Sequence, residues 1–301
     1  MAKVSILIPS RNERFLPETV ADVHRHATGD YEIVVVLDGY WPSPMLPDHP
    51  RLKVIHFGGV RGMRAAINAA ASVATGAYLM KCDAHCSFQE GFDEVLAGEC
   101  DQDWIVIPRR DRLDAETWGL QPTGKPPVDY HYLSCPITNE EGYSMHGADW
   151  RERTRARMGD PAYDLDETMS FQGSCWFMSK VHWDRLGWMG GGLPPGEEGY
   201  GTFTQEPQEL GNKTWLSGGR VMVNKRTTYL HLHKGKQYGR GYSQDRAEVK
   251  AGHLWSARYW MHNQWPERVH DLEWLVDRFW PVPTWPEDWR ARRDEFIKLD
   301  L

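Results

Sequence analysis

Apolar runs alternate with amphipathic stretches over roughly the first third of the chain. The runs are short, rich in β-branched residues and end in polar residues, which is typical of strands buried on both faces. The predicted strands are 3–10, 31–39, 52–57, 77–82 and 103–108. Helical spacing of apolar residues between the strands predicts helices over 16–29, 61–76 and 89–99. This alternation predicts an α/β fold with a mixed, mostly parallel sheet flanked by helices.

The regular pattern changes in the middle of the chain. Residues 109–168 are polar and rich in Pro and Arg, and so long a stretch without periodicity is predicted to be a functional loop or lid. Strand character returns at 169–180, and a helix over 205–218 precedes a last strand over 220–233. The tail after residue 251 is predicted to be helical in pieces that are broken at its prolines.

Polar clusters follow three of the predicted strands. They lie at residues 9–13, 38–39 and 83–85. Because ligands of open α/β sheets bind beyond the carboxyl ends of the strands, these three clusters predict one binding site at a single edge of the sheet.

Composition restricts the class of protein only broadly. The 301 residues can bury a core as one large domain or two small ones. The net charge of −7 argues against nonspecific binding to a polyanion. Five Cys, an odd number, do not indicate a disulfide framework. The first apolar run is short and ends in charge, and no stretch reaches the ~20 apolar residues of a membrane span, so we expect a cytoplasmic protein.

Tryptophan is unusually frequent, with 15 in the chain and seven between Trp255 and Trp289. Flat packing anchors for a tail that lies on a core are the favoured interpretation, and an aromatic platform for sugars or bases is the alternative. We expect a single catalytic domain over 1–250, with a nucleotide-binding half over 1–108 and an acceptor and sugar half over 109–250. Residues 251–301 are expected to form a Trp-rich extension packed on that domain.

The stretch "KCDAHC" at 81–86 offers two kinds of metal site. A structural zinc site is disfavoured, because no second Cys/His pair follows at finger spacing and Cys82 and Asp83 point to opposite faces of a strand end. Asp83 and His85, two residues apart on an extended segment, project from the same face and can bind one ion together. A carboxylate with an imidazole suits Mn²⁺ better than Mg²⁺, which prefers oxygen ligands, although Mg²⁺ stays possible.

Several motifs resemble those of nucleotide-sugar glycosyltransferases with the Rossmann-like GT-A fold, in particular family 2. The resemblance lies in "VSILIPSRNERFLPETV", "EIVVVLDG" and "RGMRAAINAAASVATGAYLMKCDAH". The form Asp-Ala-His-Cys resembles the metal motif of polypeptide N-acetylgalactosaminyltransferases. Later stretches are similar to motifs of the same enzymes, namely "HGADW", "TMSFQGSCWFMSK" and "QEPQELGNKTWLSGG". The resemblance covers about residues 3–235.

The resemblance implies a UDP-sugar donor and roles for individual residues. Asp83, His85 and His231 would bind Mn²⁺, with His233 as the alternative to His231. Asp83 and Glu206 would be the catalytic carboxylates, and Glu209 is the alternative to Glu206. Glu206 would either contact the sugar, with retention at the anomeric carbon, or act as a base, with inversion. The implied donor-binding residues are Pro9, Arg11, Glu13, Asp38, Arg61, Arg64, Asp83, Gly173, Ser174, Lys234, Tyr238 and Arg240.

The acceptor is left open among a protein Ser or Thr, a glycan and a hydroxymethylated DNA base. The run "WRERTRAR" is either a solvated face or a grip on a phosphate-bearing acceptor. The basic turn at 234–242 is either solvated or a mobile lid over the diphosphate. Two further classes compete with glycosyl transfer. A nucleotidyltransferase would carry a Gly-rich loop after the first strand, which "PSRNERF" lacks. A binding protein without turnover is disfavoured by the intact set of candidate ligands.

Overall fold

A mixed β-sheet with helices on both faces organises the chain. The computed structural model describes residues 3–138, 143–190 and 199–298, so the last three residues of the predicted extension lie outside it. The strands are β1 (Val4–Ser10), β2 (Tyr31–Asp38), β3 (Leu52–Phe57), β4 (Tyr78–Cys82), β5 (Cys86–Phe88), β6 (Trp104–Asp114), β7 (Gly119–Leu120), β8 (His131–Leu133), β9 (Gly147–Asp149), β10 (Leu165–Glu167), β11 (Cys175–Ser179) and β12 (Arg220–His231). The helices are α1 (Leu16–His26), α2 (Met63–Val73), α3 (Phe92–Gly98), α4 (Arg151–Arg157), α5 (Lys180–Arg185), α6 (Glu206–Leu216), α7 (Gly235–Tyr238), α8 (Arg246–Met261), α9 (Leu272–Arg278) and α10 (Trp289–Lys298).

The strand order in the main sheet is β10-β12-β6-β11-β4-β1-β2-β3. Strands β3, β2, β1 and β4 are parallel to one another. β11 is antiparallel to both β4 and β6, while β12 is again parallel to β6. This topology confirms the predicted α/β fold with a mixed, mostly parallel sheet in a single domain.

The middle of the chain is more regular than the sequence suggested. Strand β6 continues to Asp114, and the described part of 109–168 also holds β7 to β10 and helix α4. These strands are two or three residues long. β7 pairs with the end of β6, and the others pair with more distant partners, such as His131 of β8 with Asp149 of β9. A local hydrophobic pattern does not predict such short pairings. The expectation of a loop or lid is therefore wrong for the residues in these strands and in α4.

The Trp-rich tail shares the main hydrophobic core. Four of its tryptophans are buried in one cluster with residues of β2, β4, β6 and β11, and they are Trp260, Trp265, Trp285 and Trp289. Helices α8, α9 and α10 are separated at Pro266 and at the prolines between 281 and 286, as predicted. For these four side chains, packing anchors are the correct interpretation. The domain boundary at residue 250 stays a prediction.

Substitution of Leu275 tests how much this tail contributes to the stability of the whole domain. The side chain lies fully buried on α9 in that core cluster. Replacing Leu275 by Ala is expected to lower the free energy of unfolding by about 2–5 kcal/mol, because it leaves a cavity. Urea unfolding followed by fluorescence measures this, with exposed Val269→Ala as the control expected within about 0.5 kcal/mol of the parent. A loss for Leu275→Ala as small as that of the control would show that the tail is not part of the core.

His182 makes stability depend on pH. It is buried on α5, its Nε2 lies 2.9 Å from Thr214 Oγ1, and burial lowers its pKa to about 4. The unfolded state therefore takes up a proton at a higher pH than the folded state does. Stability is complete above the unfolded pKa of about 6.5 and falls as the pH drops toward 4, by about 1–3 kcal/mol from this residue. Urea unfolding across pH 7 to 4 should show a shallower loss in His182→Gln, and an identical slope in the variant would contradict the assignment.

Among the described residues, none of the helices combines the length and apolar character that crossing a membrane would require.

Candidate active site

A cavity of ≈ 910 Å³ opens at the carboxyl ends of β1 and β4. The end of β12, the start of α6 and one side of α8 complete its wall. Most of the residues that the sequence pointed to line it, and they are Pro9, Arg11, Glu13, Asp38, Asp83, His85, Gly173, Ser174, Glu206, His231, Lys234 and Arg240. The sheet edge thus brings the three polar clusters together, as the topology of parallel strands requires.

Three potential metal ligands converge on the cavity floor. Side-chain ligand atoms of Asp83, His85 and His231 all lie within 4.8 Å of one another. Nε2 of His231 and Nε2 of His85 lie 3.3 and 3.7 Å from the same carboxylate oxygen of Asp83. His231 reaches this place because β12 runs antiparallel to β5 with His231 opposite Cys86. Of the two alternatives from the sequence, His233 is exposed and lies outside this group.

The cluster fits a divalent cation in its distances and its chemistry. Two ligand atoms bound at about 2.0–2.2 Å to one ion are roughly 3–3.6 Å apart, which matches the separations from Asp83. Burial lowers the pKa of His231 to about 3, so its imidazole is neutral and keeps a lone pair for an ion at neutral pH. Cys82 and Cys86 are buried in the apolar core and belong to no such group among the described residues.

A carboxylate and an ammonium group lie behind His85. Its Nδ1 lies 3.1 Å from Glu13 Oε2, which also accepts a 2.6 Å hydrogen bond from Lys234 Nζ. Burial alone would raise the pKa of Glu13, but His85 and Lys234 outweigh it and the pKa is lowered. A carboxylate behind an imidazole orients the ring, as it does for many metal-binding histidines.

Lys81 connects the metal-ligand cluster with Glu206. Its ammonium group is buried and donates to Asp83 Oδ1 at 2.8 Å, to Glu206 Oε2 at 3.3 Å and to the Gly173 carbonyl. Trp176 Nε1 donates to the other Glu206 oxygen at 2.6 Å. Burial raises the pKa of Glu206, and Lys81 with Trp176 opposes this rise. Both oxygens of Glu206 are therefore held in fixed positions.

The backbone around Glu206 explains how the carboxylate reaches the cavity. Gln205 has a φ of +61°, which turns the chain into helix α6, and Pro207 suits the first turn of that helix. Glu206 lies at the positive end of the helix, where an acidic group is stabilised. A Cβ at Gly173 would lie only 2.8 Å from Glu206 Oε2, so glycine is required for this close approach.

Asp38 shapes the end of the cavity beside the start of α2. Its carboxylate accepts hydrogen bonds from the backbone N–H of Arg61 at 2.6 Å and of Gly62 at 3.0 Å. Gly62 has a φ of +93°, and a Cβ there would collide with Thr202. Asp38 therefore positions the start of α2, and Asp38 itself also lines the cavity.

The structure does not support donor contacts for three of the predicted donor-binding residues, Arg64, Arg61 and Tyr238. Arg64 is fully buried, and its guanidinium donates to the carbonyl groups of Gly190 and Thr204 and to the Glu209 carboxylate. It therefore has no free edge for a diphosphate. Arg61 is exposed outside the cavity lining, with its guanidinium over the Phe57 ring.

Tyr238 also lies outside the cavity lining, packed edge-on against Phe15. The rest of the basic turn does reach the cavity, since Arg240 lines it and Arg11 stacks 4.6 Å from the Tyr242 ring. Asn12 Nδ2 donates to the Gly241 carbonyl at 3.0 Å. The turn is therefore docked on the loop after β1.

Helix α4 uses its arginines within the fold. Arg151 pairs with Asp149, Arg157 pairs with Asp166, and Arg153 stacks over the rings of Tyr130, Trp150 and Phe279. Arg151 and Arg155 are the exposed members of the four. Three of the four arginines have partners within the fold, and the choice between a solvated face and a grip on a phosphate-bearing acceptor stays a prediction.

Sequence reasoning missed part of the site. Lys81 and Trp176 hold Glu206, and His146, Gln208 and His253 line the cavity toward α8. A lysine inside an otherwise apolar strand was the available signal for Lys81, because a buried ammonium needs carboxylate partners. No comparable signal marks the other residues, since their approach depends on the tertiary fold.

Comparisons with known proteins agree with this geometry. The sequence model of glycosyl transferase family 2 matches residues 5–186. Polypeptide N-acetylgalactosaminyltransferase 5 of Caenorhabditis elegans is 25% identical over 182 residues, which are 58% of this chain and 26% of that protein. The crystal structure of GalNAc-T7 with UDP, GalNAc and Mn²⁺ superposes with a TM-score of 0.64 at 15% identity, covering 87% of this chain and 50% of that one.

The chain thus spans about a quarter of the curated relative and half of the solved structure. The family match covers more than half of the chain, and the superposition shows the same fold. The chain belongs to glycosyl transferase family 2 and has the GT-A fold.

Proposed function

We propose that the protein transfers a hexose or N-acetylhexosamine from a UDP-sugar to a hydroxyl group in a metal-dependent reaction. The observation that carries this proposal is the convergence of Asp83, His85 and His231 on the cavity floor, one lysine away from Glu206. A ligand set of this kind needs a cation, and a cavity of ≈ 910 Å³ has room for a nucleotide-sugar.

The metal would be Mn²⁺ rather than Mg²⁺, because two of the three ligands are imidazoles. Bound there, a divalent ion would neutralise the charge that develops on the departing diphosphate. The solved GalNAc-T7 structure contains UDP and Mn²⁺, which supports the same pairing here.

Different residues of the cavity would contact different parts of the donor. Arg11, Lys234 and Arg240 give one side of the cavity a positive charge that suits a diphosphate. Asp38 lies at the nucleotide end, and Glu206 presents a fixed carboxylate to a sugar hydroxyl or an acceptor. Gly173 and Ser174 lie in the turn before β11, and Gly173 is beside that carboxylate.

For the acceptor we propose a hydroxyl on a protein side chain, a glycan or a hydroxymethylated base. The cavity wall formed by α8 carries His253 and Glu248, while His146 approaches from the loop before β9. This side is therefore polar without a concentration of cations, which favours an uncharged acceptor group.

A panel of UDP-sugars tests the proposal. The protein is incubated with each donor and Mn²⁺, UDP release is measured, and EDTA provides the metal-free control. We expect release from at least one donor that EDTA abolishes. Mass spectrometry of candidate acceptors incubated with that donor then identifies the product. Binding of UDP without release from any donor would instead favour a nucleotide-sugar-binding protein and contradict the proposal.

A further inference from the structure

Lys81 has an unusual position for a charged residue. It lies in the middle of the sheet on β4, between β1 and β11, and its side chain is 1% exposed. All three of its ammonium contacts are to the cavity floor, namely Asp83, Glu206 and the carbonyl of Gly173. Two carboxylates within hydrogen-bond distance favour the charged form of this ammonium group.

The charges around the candidate metal site are nearly balanced before any ligand binds. Three carboxylates, those of Asp83, Glu206 and Glu13, face the two ammonium groups of Lys81 and Lys234. One negative charge is left for a divalent cation, which brings two positive charges. Repulsion from the Lys81 ammonium, which contacts a candidate ligand directly, opposes the cation in a poorly solvated place.

A bound nucleoside diphosphate would change this charge balance in favour of the cation. Its negative charges would compensate both the cation and Lys81, so the cation and the diphosphate together fit a site that the cation alone fits poorly. Lys81 also holds the Asp83 and Glu206 carboxylates in fixed relative positions, because it donates to both.

We propose that Lys81 is a positioning residue that weakens binding of the divalent cation to the nucleotide-free enzyme and orients Asp83 and Glu206 for the loaded one. The inference rests on the proposed function, since it assumes that the cation binds at Asp83, His85 and His231. It assigns to the buried lysine an effect on ion affinity that a purely structural role would not have.

Titration with Mn²⁺ in the absence of nucleotide tests the effect, with heat as the readout. Lys81→Met is expected to bind Mn²⁺ about tenfold more tightly than the wild type, because the repelling charge is gone. UDP release by the same variant is expected to fall, because Glu206 loses one of its two partners. Damage to the fold would weaken both properties, so an opposite change in the two identifies the electrostatic role.

Two further variants keep the test decisive. Lys53→Met removes a lysine of the edge strand β3 that pairs with Glu32 at 2.7 Å. The Mn²⁺ affinity of this variant should equal that of the wild type. If Lys81→Met does not fold, the double variant Lys81→Met/Glu206→Gln is compared with Glu206→Gln, and the same tightening is expected between them.

The outcomes separate the two proposals. If the wild type binds Mn²⁺ and removal of Lys81 leaves the affinity equal or lower in a folded variant, the inference about Lys81 is overturned and the proposed function stands. If the wild type binds no Mn²⁺ even with UDP present, both are overturned.

Discussion

Replacing Asp83 by Asn is expected to reduce Mn²⁺-dependent UDP release by about 100-fold or more. Asp83 is the central member of the ligand cluster, since both imidazoles face its Oδ2 atom. Its other oxygen accepts from Lys81, and these charges lower its pKa although burial opposes this, so the group is an anion at neutral pH. Asn keeps the size of the side chain but removes the charge that attracts a cation.

Steady-state kinetics against Mn²⁺ concentration measure the effect. Asp184→Asn is the matched control, because Asp184 is half exposed and pairs with Lys180 and Trp188 at the surface. The control should behave as the wild type, with an unchanged thermal midpoint in both variants. Full activity of Asp83→Asn at saturating Mn²⁺ would show that the cluster is not the metal site.

Replacing Glu206 by Gln is expected to lower kcat by about 100-fold and to change the affinity for UDP by only a few-fold. Both oxygens of Glu206 accept from donors, Trp176 Nε1 on one side and Lys81 Nζ on the other. The amide nitrogen of Gln would face one of these donors, so the side chain must turn away from its present position. The substitution therefore removes the function of Glu206 whether it contacts the sugar or accepts a proton.

Single-turnover UDP release and UDP binding by calorimetry separate the two effects. Glu18→Gln, at an exposed position of α1, is the control and should leave both values unchanged. Wild-type kcat in Glu206→Gln would exclude Glu206 from the reaction. Proton NMR of the wild-type product then decides whether the anomeric configuration is retained or inverted, which separates a sugar contact from a base.

The sequence was sufficient for the parts of the fold that have a local pattern. Strands β1 to β4 and helix α6 fall within two residues of their predicted bounds. For the strands the reason is that buried parallel strands are continuous apolar runs. The proximity of Asp83 and His85 was predicted from the period of an extended segment, whereas the structure places both residues in the turn between β4 and β5. The convergence of His231 on them depends on β5 pairing with β12, which only the resemblance to known enzymes indicated.

The errors share a physical cause. Arg64 was expected to bind anions because it lies at a helix start, yet a buried carboxylate of α6 and two carbonyl groups occupy its guanidinium. Lys81 was passed over as part of a strand, although it connects both candidate catalytic carboxylates. In both cases a carboxylate of α6, Glu209 for Arg64 and Glu206 for Lys81, lies over 100 residues away along the chain, where a local pattern carries no information.

The most direct measurement is the location of the bound ion. Crystals grown with UDP and MnCl₂ are measured at the manganese absorption edge, and an anomalous difference map is calculated. The account predicts a strong peak about 2.0–2.4 Å from atoms of Asp83, His85 and His231, with UDP oxygens at its open positions. A peak elsewhere, or UDP bound in the cavity with no manganese at these three residues, would contradict it.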